Sequence, residues 1–294
     1  MNNNNTSNLY VDMHIHTNYS DGVFTPKEAV EYAAKMKLSA ISITDHDCVD
    51  GTDEALEAGA ETGIEVVPGI ELSSEIMFNS RKNEIHILGY YMNYKSEMFQ
   101  EALAVFKKAR YDRAVEMLEK LKKSGAELKD DSFVKDAGNK VIGRLHFAKA
   151  LFEQKLVGSV QEAFQRYLSK DKPAYVPKCR ISPGDAIKLI LNAGGIPVIA
   201  HPYYIGYNDR NIFETFIKDG LKGIEVWHIK HSENVVKRFL SLVQDFNLIA
   251  TGGSDCHGPY KNEIPIMGRV KVPYFVLENL KKAKIDSVKN ENTL

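Results

Sequence analysis

The sequence predicts an α/β fold: a seven-stranded (β/α) barrel carrying an all-α insertion after its fourth strand. Three observations carry that expectation. Short β-rich runs alternate with helical patterns in two separate stretches, no dinucleotide-binding glycine fingerprint interrupts them, and the residues between the stretches read as helix. The first stretch runs strand 9–13, helix 26–36, strand 40–44, helix 53–62, strand 65–69 and strand 85–91. The second runs helix 183–192, strand 196–200, helix 211–219, strand 223–227, helix 232–246 and strand 248–252. Such alternation means βα units and a mostly parallel sheet.

Two helix starts are marked in full. Thr25-Pro26-Lys27-Glu28 and Ser182-Pro183-Gly184-Asp185 each place a hydroxyl cap first, proline at the first helical position and a carboxylate at the third. Residues 96–177 read as helix throughout, with Phe99, Leu103, Phe106, Ala114, Met117, Leu118 and Leu121 at helical spacing. These apolar residues suit the core of a helical bundle better than a cofactor pocket. The expected organisation is a disordered lead-in over 1–8, a barrel domain from 9–95 and 178–294, and a helical insertion domain over 96–177.

Composition narrows the class. A chain of 294 residues, 44% hydrophobic and 26% charged, buries a sizeable core, which excludes disordered and fibrous classes. No apolar run approaches the ~20 residues of a membrane span, and MNNNNTSN lacks the basic and apolar regions of a signal peptide, so a cytoplasmic protein is expected. Cys48, Cys179 and Cys256, odd in number and without CxxC spacing, read as reduced thiols. The net charge of −1 is uneven: residues 95–180 hold 19 Lys+Arg against 12 Asp+Glu. An acidic body with a basic insert suits an anionic substrate.

Nearly every predicted strand ends in a metal-ligand residue type. His14 and His16 follow the first, Asp45 and His46 the second, Glu71 the third, His201 the fifth, His228 the sixth, and Asp255 with His257 the seventh; His86 lies within the fourth. Strand ends of a (β/α) barrel converge on one face, so residues distant in sequence meet there. One histidine at a strand end is usually a hydrogen-bonded structural residue. Six of nine histidines at such positions, together with three acids, point instead to metal binding. Imidazole and carboxylate donors suit Zn, Mn or Fe.

The segments Asp12-Met-His14-Ile-His16-Thr-Asn-Tyr-Ser20-Asp21-Gly22, Ile43-Thr-Asp45-His46-Asp47, Pro68-Gly-Ile-Glu71-Leu-Ser, His86-Ile-Leu-Gly-Tyr90, Ala200-His201-Pro202 and Gly253-Ser-Asp255-Cys-His257-Gly258 together resemble the polymerase and histidinol phosphatase (PHP) domain. Six motifs in order span both barrel halves. The resemblance implies a distorted seven-stranded barrel with three divalent ions. On that basis His14, His16, Glu71 and Asp255 surround one ion, Glu71 with His86 and His201 holds the second, and Asp21, His46 and His257 hold the third. The insertion resembles that of the nucleotide-directed branch, which includes 3',5'-nucleoside bisphosphate phosphatases and 5'-to-3' exonucleases of short RNA.

The chemistry follows from the donors. Clustered divalent ions neutralise phosphoryl charge and lower the pKa of water from 15.7 towards about 7, so no side-chain nucleophile is needed. The resemblance implies Glu71 as the bridging ligand and Asp255 as a ligand, and Asp255 is also the candidate proton acceptor. His228 contacts the substrate phosphate or protonates the leaving oxygen, while His231 is a helix-start residue. Asp45 and Asp47 either fix an imidazole or build the turn. Arg144 is the candidate clamp for a second phosphate, and Lys178 another, against the alternative of a solvated basic face. Tyr203, Tyr204 and Tyr207 either stack on a base or pack the loop. A phosphorylated nucleotide or short single-stranded RNA is expected as substrate, with neither duplex DNA nor a membrane as partner. Two alternatives are histidinol-phosphate phosphatase and a non-catalytic binding module; all nine expected ligand positions keep ligand-competent residues, which speaks against the latter.

Overall fold

The computed structural model describes residues 9–78, 81–135, 141–178, 180–205, 210–259 and 263–291. The lead-in 1–8, Cys179 and Tyr207 lie outside the described residues, as does the side chain of Tyr204. The strands are β1 (Tyr10–Ile15), β2 (Ala40–Ile43), β3 (Glu65–Phe78), β4 (Arg81–Tyr90), β5 (Ile196–Ile199), β6 (Gly223–Trp227), β7 (Ile249–Gly252) and β8 (Val272–Pro273). They form one sheet in the order β7-β6-β5-β4-β3-β2-β1-β8. The helices are α1 (Pro26–Lys35), α2 (Thr52–Thr62), α3 (Glu97–Lys123), α4 (Ser132–Lys135), α5 (Arg144–Glu153), α6 (Val160–Ala163), α7 (Pro183–Asn192), α8 (Arg210–Lys218), α9 (Glu233–Asp245) and α10 (Phe275–Glu291).

The barrel is nearly closed. β7 does not itself pair with β1; the residues after it do, because the Asp255 amide donates to His14 O at 2.9 Å and the His16 amide to Cys256 O at 2.9 Å. Gly253 permits this approach, since a β-carbon there would lie 2.4 Å from that of His14. β8, an eighth strand beyond the seven expected, pairs antiparallel with the start of β1. Its two residues are too few for a period-2 pattern to register.

β1, β2 and β3 run parallel, as do β5, β6 and β7, but β4 is antiparallel to both of its neighbours. No helix separates β3 from β4, and a short connection makes a hairpin, whereas a parallel crossover needs a dozen or more residues. Both strands also run well beyond the expected 65–69 and 85–91 start, to Phe78 and back from Arg81. The run Glu75 to Glu84 concealed this extension: three apolar residues and then six polar or charged ones give no period-2 alternation, although its backbone pairs with its own partner strand.

The helix starts form as predicted. Thr25 accepts from the Glu28 amide while Glu28 accepts from the Thr25 amide at 2.8 Å, and Ser182 accepts from the Asp185 amide at 3.1 Å. The reading of 96–177 as helix throughout is corrected. After α6 the chain makes a π-helical turn over Phe164–Leu168, and the described residues 169–178 are turns and irregular chain. Pro173 and Pro177 within that run cannot donate helical hydrogen bonds. α10 was not foreseen; its buried Val276, Leu277 and Leu280 join a barrel cluster with Val11, Leu88 and Val198.

α3 belongs to two cores. Phe99 and Leu103 pack with barrel residues such as Ile87 and Ile190, whereas Met117 and Leu121 pack with Phe147, Leu151 and Leu168. Among the described residues no helix is long and apolar enough to cross a membrane. Leu121→Ala, at a fully buried position, is expected to cost about 2–5 kcal/mol in urea unfolding, by lost transfer energy and the cavity left behind.

Candidate metal centre

Glu71 stands at the centre of the barrel mouth, 1% exposed. Its Oε1 lies 2.9 Å from His86 Nδ1, 3.0 Å from His201 Nε2 and 3.5 Å from His14 Nε2. Its Oε2 lies 2.9 Å from His46 Nδ1 and 3.2 Å from His16 Nε2. Alternation along extended backbone puts His14 and His16 on one side, with their Nε2 atoms 3.2 Å apart. Asp255 Oδ1 faces both, at 3.5 and 3.1 Å. Asp21 Oδ1 is 3.2 Å from His257 Nε2, and its Oδ2 is 3.9 Å from His46 Nε2. The nine residues read from the sequence as ligands therefore meet in one mouth.

The donor set fits divalent ions. Donor atoms lie within 4.8 Å of one another in four groups: His16, Asp21, His46 and His257; His14, Glu71 and His201; His14, His16 and Asp255; His46, Glu71 and His86. Glu71 Oε2, His46 Nδ1 and Asp21 Oδ1 are buried without a hydrogen-bond partner among the described residues. Close approach without hydrogen-bond geometry means lone pairs directed at shared points, which is the arrangement a cation satisfies.

The electrostatics agree. Burial alone would raise Glu71, yet the imidazoles of His46, His86 and His14 hold it well below the usual carboxylate range. Asp255 and Asp21 behave likewise, burial being outweighed by His14 and His16 for the first and by His46 and His257 for the second. Burial acts to lower His14, His16 and His86, but the carboxylates prevail: His16 rises to about 10 and His86 to about 9. His46, where burial dominates, falls to about 4. Protons thus occupy imidazoles where cations would otherwise neutralise the acids.

Backbone geometry aims the ligands. His201 at φ 27° and Asp255 at φ 56° occupy positive-φ conformations uncommon for any residue but glycine, and the surrounding hydrogen bonds hold them there. Asp12, fully buried, accepts from the Ser254 amide at 2.8 Å and the Gly268 amide at 3.3 Å, which ties β1 to the Asp255 loop. Asp45 accepts from the Thr17 amide at 2.8 Å and its hydroxyl at 2.5 Å, and also from Ser20. Asp47, at φ 52°, accepts from the Ser73 amide at 2.7 Å and pairs with Arg110. Neither aspartate is bonded to the His46 ring: Asp45 ties this turn to the segment after β1, and Asp47 ties it to β3 and α3.

Arg110, Asp12 and Glu225 escaped the sequence reading. Arg110 had a signal: it falls on the apolar stripe of α3, between Leu103 and Ala114, and is 8% exposed. Glu225 had one too, as the sole acid in the apolar run of β6. Its Oε1 is 2.9 Å from His14 Nδ1, and its Oε2 accepts from the His201 amide at 2.6 Å.

The other predicted residues lie around this cluster. His228 Nε2 is 3.5 Å from Asp255 Oδ2, and its Nδ1 accepts from the Lys230 amide at 3.2 Å. His231 does not contact the cluster; its Nδ1 lies 2.8 Å from Val226 O. Tyr203 is 6.3 Å, centroid to centroid, from that ring. Arg144 spans the rings of Phe164 and Tyr175, and Lys178 Nζ is 3.0 Å from Glu84 Oε1. Cys48 and Cys256 are buried free thiols; burial pushes Cys48 up to about 12, and neither joins the metal-donor groups.

A PHP domain family profile matches residues 12–175, more than half of the chain. The chain belongs to the PHP domain family. A 3',5'-nucleoside bisphosphate phosphatase of Chromobacterium violaceum is 33% identical over 256 residues, covering 85% of this chain and 87% of that protein. A 5'-3' exoribonuclease of Haemophilus influenzae is 32% identical, covering 84% and 90%. Among solved structures, a Bifidobacterium adolescentis protein assigned to the metal-dependent phosphoesterases superposes with TM-score 0.81 at 30% identity, covering 93% of this chain and 96% of that one. An amidohydrolase of C. violaceum with bound sulfate and no metal gives 0.77 at 30% identity, covering 94% and 96%. This PHP domain is a metal-dependent phosphoesterase.

Metal uptake by the PHP centre must displace protons from His14, His16 and His86, so affinity is expected to rise as pH rises towards about 9. Calorimetric titration in buffers of different ionisation enthalpy reads the released protons; uptake with no proton release would contradict the arrangement. The Arg110–Asp47 pair gives a second test, because both side chains are at most 10% exposed. Arg110→Met strands a buried carboxylate and is expected to cost about 3 kcal/mol in urea unfolding. Burial works to raise Asp47, but Arg110 holds it below its ordinary 3.8. The pair's contribution is therefore present above that value and lost as pH falls below it, so wild type and variant should converge in acid.

Proposed function

We propose that this PHP domain holds three divalent ions, Mn, Fe or Zn, and hydrolyses a phosphate ester of a nucleotide that carries a second phosphate. His14, His16, Glu71 and Asp255 would hold one ion; Glu71, His86 and His201 the second; Asp21, His46 and His257 the third. The ions, when bound, polarise the phosphoryl oxygens and supply hydroxide at neutral pH.

The chain's own groups do the rest. Because the Lys230 amide donates to His228 Nδ1, the neutral ring carries its hydrogen on Nε2, turned towards Asp255. His228 is thereby set to donate to a phosphoryl or leaving oxygen, and Asp255 Oδ2 to accept a proton.

The second phosphate carries the substrate reading. A cavity of about 170 Å³ is lined by three cationic residues, Arg110, Arg144 and Lys178, and shares His46 with the larger cavity of about 510 Å³ over Glu71, His86 and Asp255. Arg110 is engaged by Asp47 and Lys178 by Glu84. Arg144, with a neutral carbonyl at 3.4 Å and two aromatic rings about it, is the guanidinium whose charge is left for an anion. The relatives' named activities, on 3',5'-nucleoside bisphosphates and on RNA from its 5' end, support a substrate of this kind.

Arg144→Ala is expected to lower kcat/KM on adenosine 3',5'-bisphosphate by roughly 30-fold, an ion-assisted hydrogen bond of about 2 kcal/mol, while hydrolysis of p-nitrophenyl phosphate stays within about threefold. Equal losses on both substrates would refute the clamp. A short RNA cleaved far faster than the bisphosphate would make the exoribonuclease the principal activity.

A further inference from the structure

We propose that Glu225 is a positioning residue for the metal centre: it sets the tautomer of His14 and pins the backbone of His201. The proposal rests on the ligand roles given above to those two histidines. Glu225 is 0% exposed, and among the described residues no lysine or arginine pairs with its carboxylate. A buried acid of this kind is costly where packing is all that is required, because an apolar side chain of similar volume fills the space without desolvating a charge.

Both of its oxygens are committed to the site. Oε1 takes the hydrogen of His14 Nδ1 at 2.9 Å, so the proton that leaves when a metal binds is the one on Nε2, and the lone pair is freed on the metal-facing side. That nitrogen faces Glu71 Oε1 and Asp255 Oδ1, each at 3.5 Å, where an ion is to be held. Oε2 accepts from the amide of His201, whose φ of 27° needs an external anchor. One β6 side chain thus joins His14 on β1 to His201, two residues past the end of β5.

Glu225→Gln breaks this without changing shape. The His201 amide can only donate, so the amide oxygen must stay on it, and the amide NH₂ then faces His14 Nδ1. Nδ1 becomes an acceptor and the ring hydrogen moves to Nε2, which removes the lone pair from the metal-facing side.

The test compares manganese and zinc affinity of wild type and Glu225→Gln by competition with a fluorescent chelator, with circular dichroism and metal-free melting recorded on both. A roughly 10–100-fold loss of affinity by a folded variant supports the assignment. Unchanged affinity, with only the metal-free melting temperature lowered, would overturn it and leave Glu225 a packing residue. Wild type that takes up no metal would remove the ligand assignment, and this inference with it. Should the glutamine variant not fold, ¹⁵N-histidine spectra of zinc-loaded wild type decide: a proton on His14 Nδ1 supports the proposal, and one on Nε2 refutes it.

Discussion

A carboxylate surrounded by five imidazoles, inside a barrel and shielded from water, is the constraint to which the rest of this protein is fitted. Glu71 alone, so buried, would protonate, since desolvation disfavours its charge. The rings of His46, His86 and His14 reverse that preference, with those of His16 and His201 packed against the same carboxylate within 3.2 Å. They do so only while each stays in place, because the gain from close opposite charges falls off with small displacements in a medium of low polarity.

Placement is the work of strand geometry. The β3–β4 hairpin registers Glu71 opposite Leu88 and Ser73 opposite His86, so the hairpin alone fixes two ligands relative to each other. β5 and β6 bring His201 and Glu225 beside them, and the pairing of residues 255 and 256 with β1 delivers Asp255 to His14 and His16. Of the residues with positive φ, His201 lies just after β5 and Asp255 just after β7. Strain of that kind persists only where hydrogen bonds over-determine the backbone, as Asp12 does for the Asp255 loop and Glu225 does for His201. α3 adds a link from outside, because Arg110 reaches the turn that bears His46 through Asp47.

The ligand types were legible because histidine and acid at strand ends are uncommon choices for packing, and because the six motifs occur in order along the chain. The parallel units were legible from period and capping: Thr25 and Ser182 start helices where proline and a carboxylate follow. Less of the supporting structure could be read. A glutamate within GIEVW and an arginine within the apolar face of α3 look like isolated exceptions until a partner is known, and their partners lie 211 and 63 residues away. The hairpin extension was hidden because a strand satisfied by its own neighbour needs no apolar alternation. The irregular run after Leu168 was read as helix although Pro173 and Pro177 argue locally against it.

By itself, the sequence determined the chemistry available: nine ligand-competent side chains, most of them in or soon after strands, and a basic segment inserted into an acidic body. Such properties reside in residue type and local period, which need no partner to be defined. Tertiary structure alone decided which oxygen of Glu71 faces which imidazole, that the Asp255 loop and not a further strand closes the barrel, and that Glu225 stands behind His14. Those are relations between residues far apart in the chain, set by how twisted strands pack and which hydrogen bonds remain to be satisfied, and no local pattern encodes them.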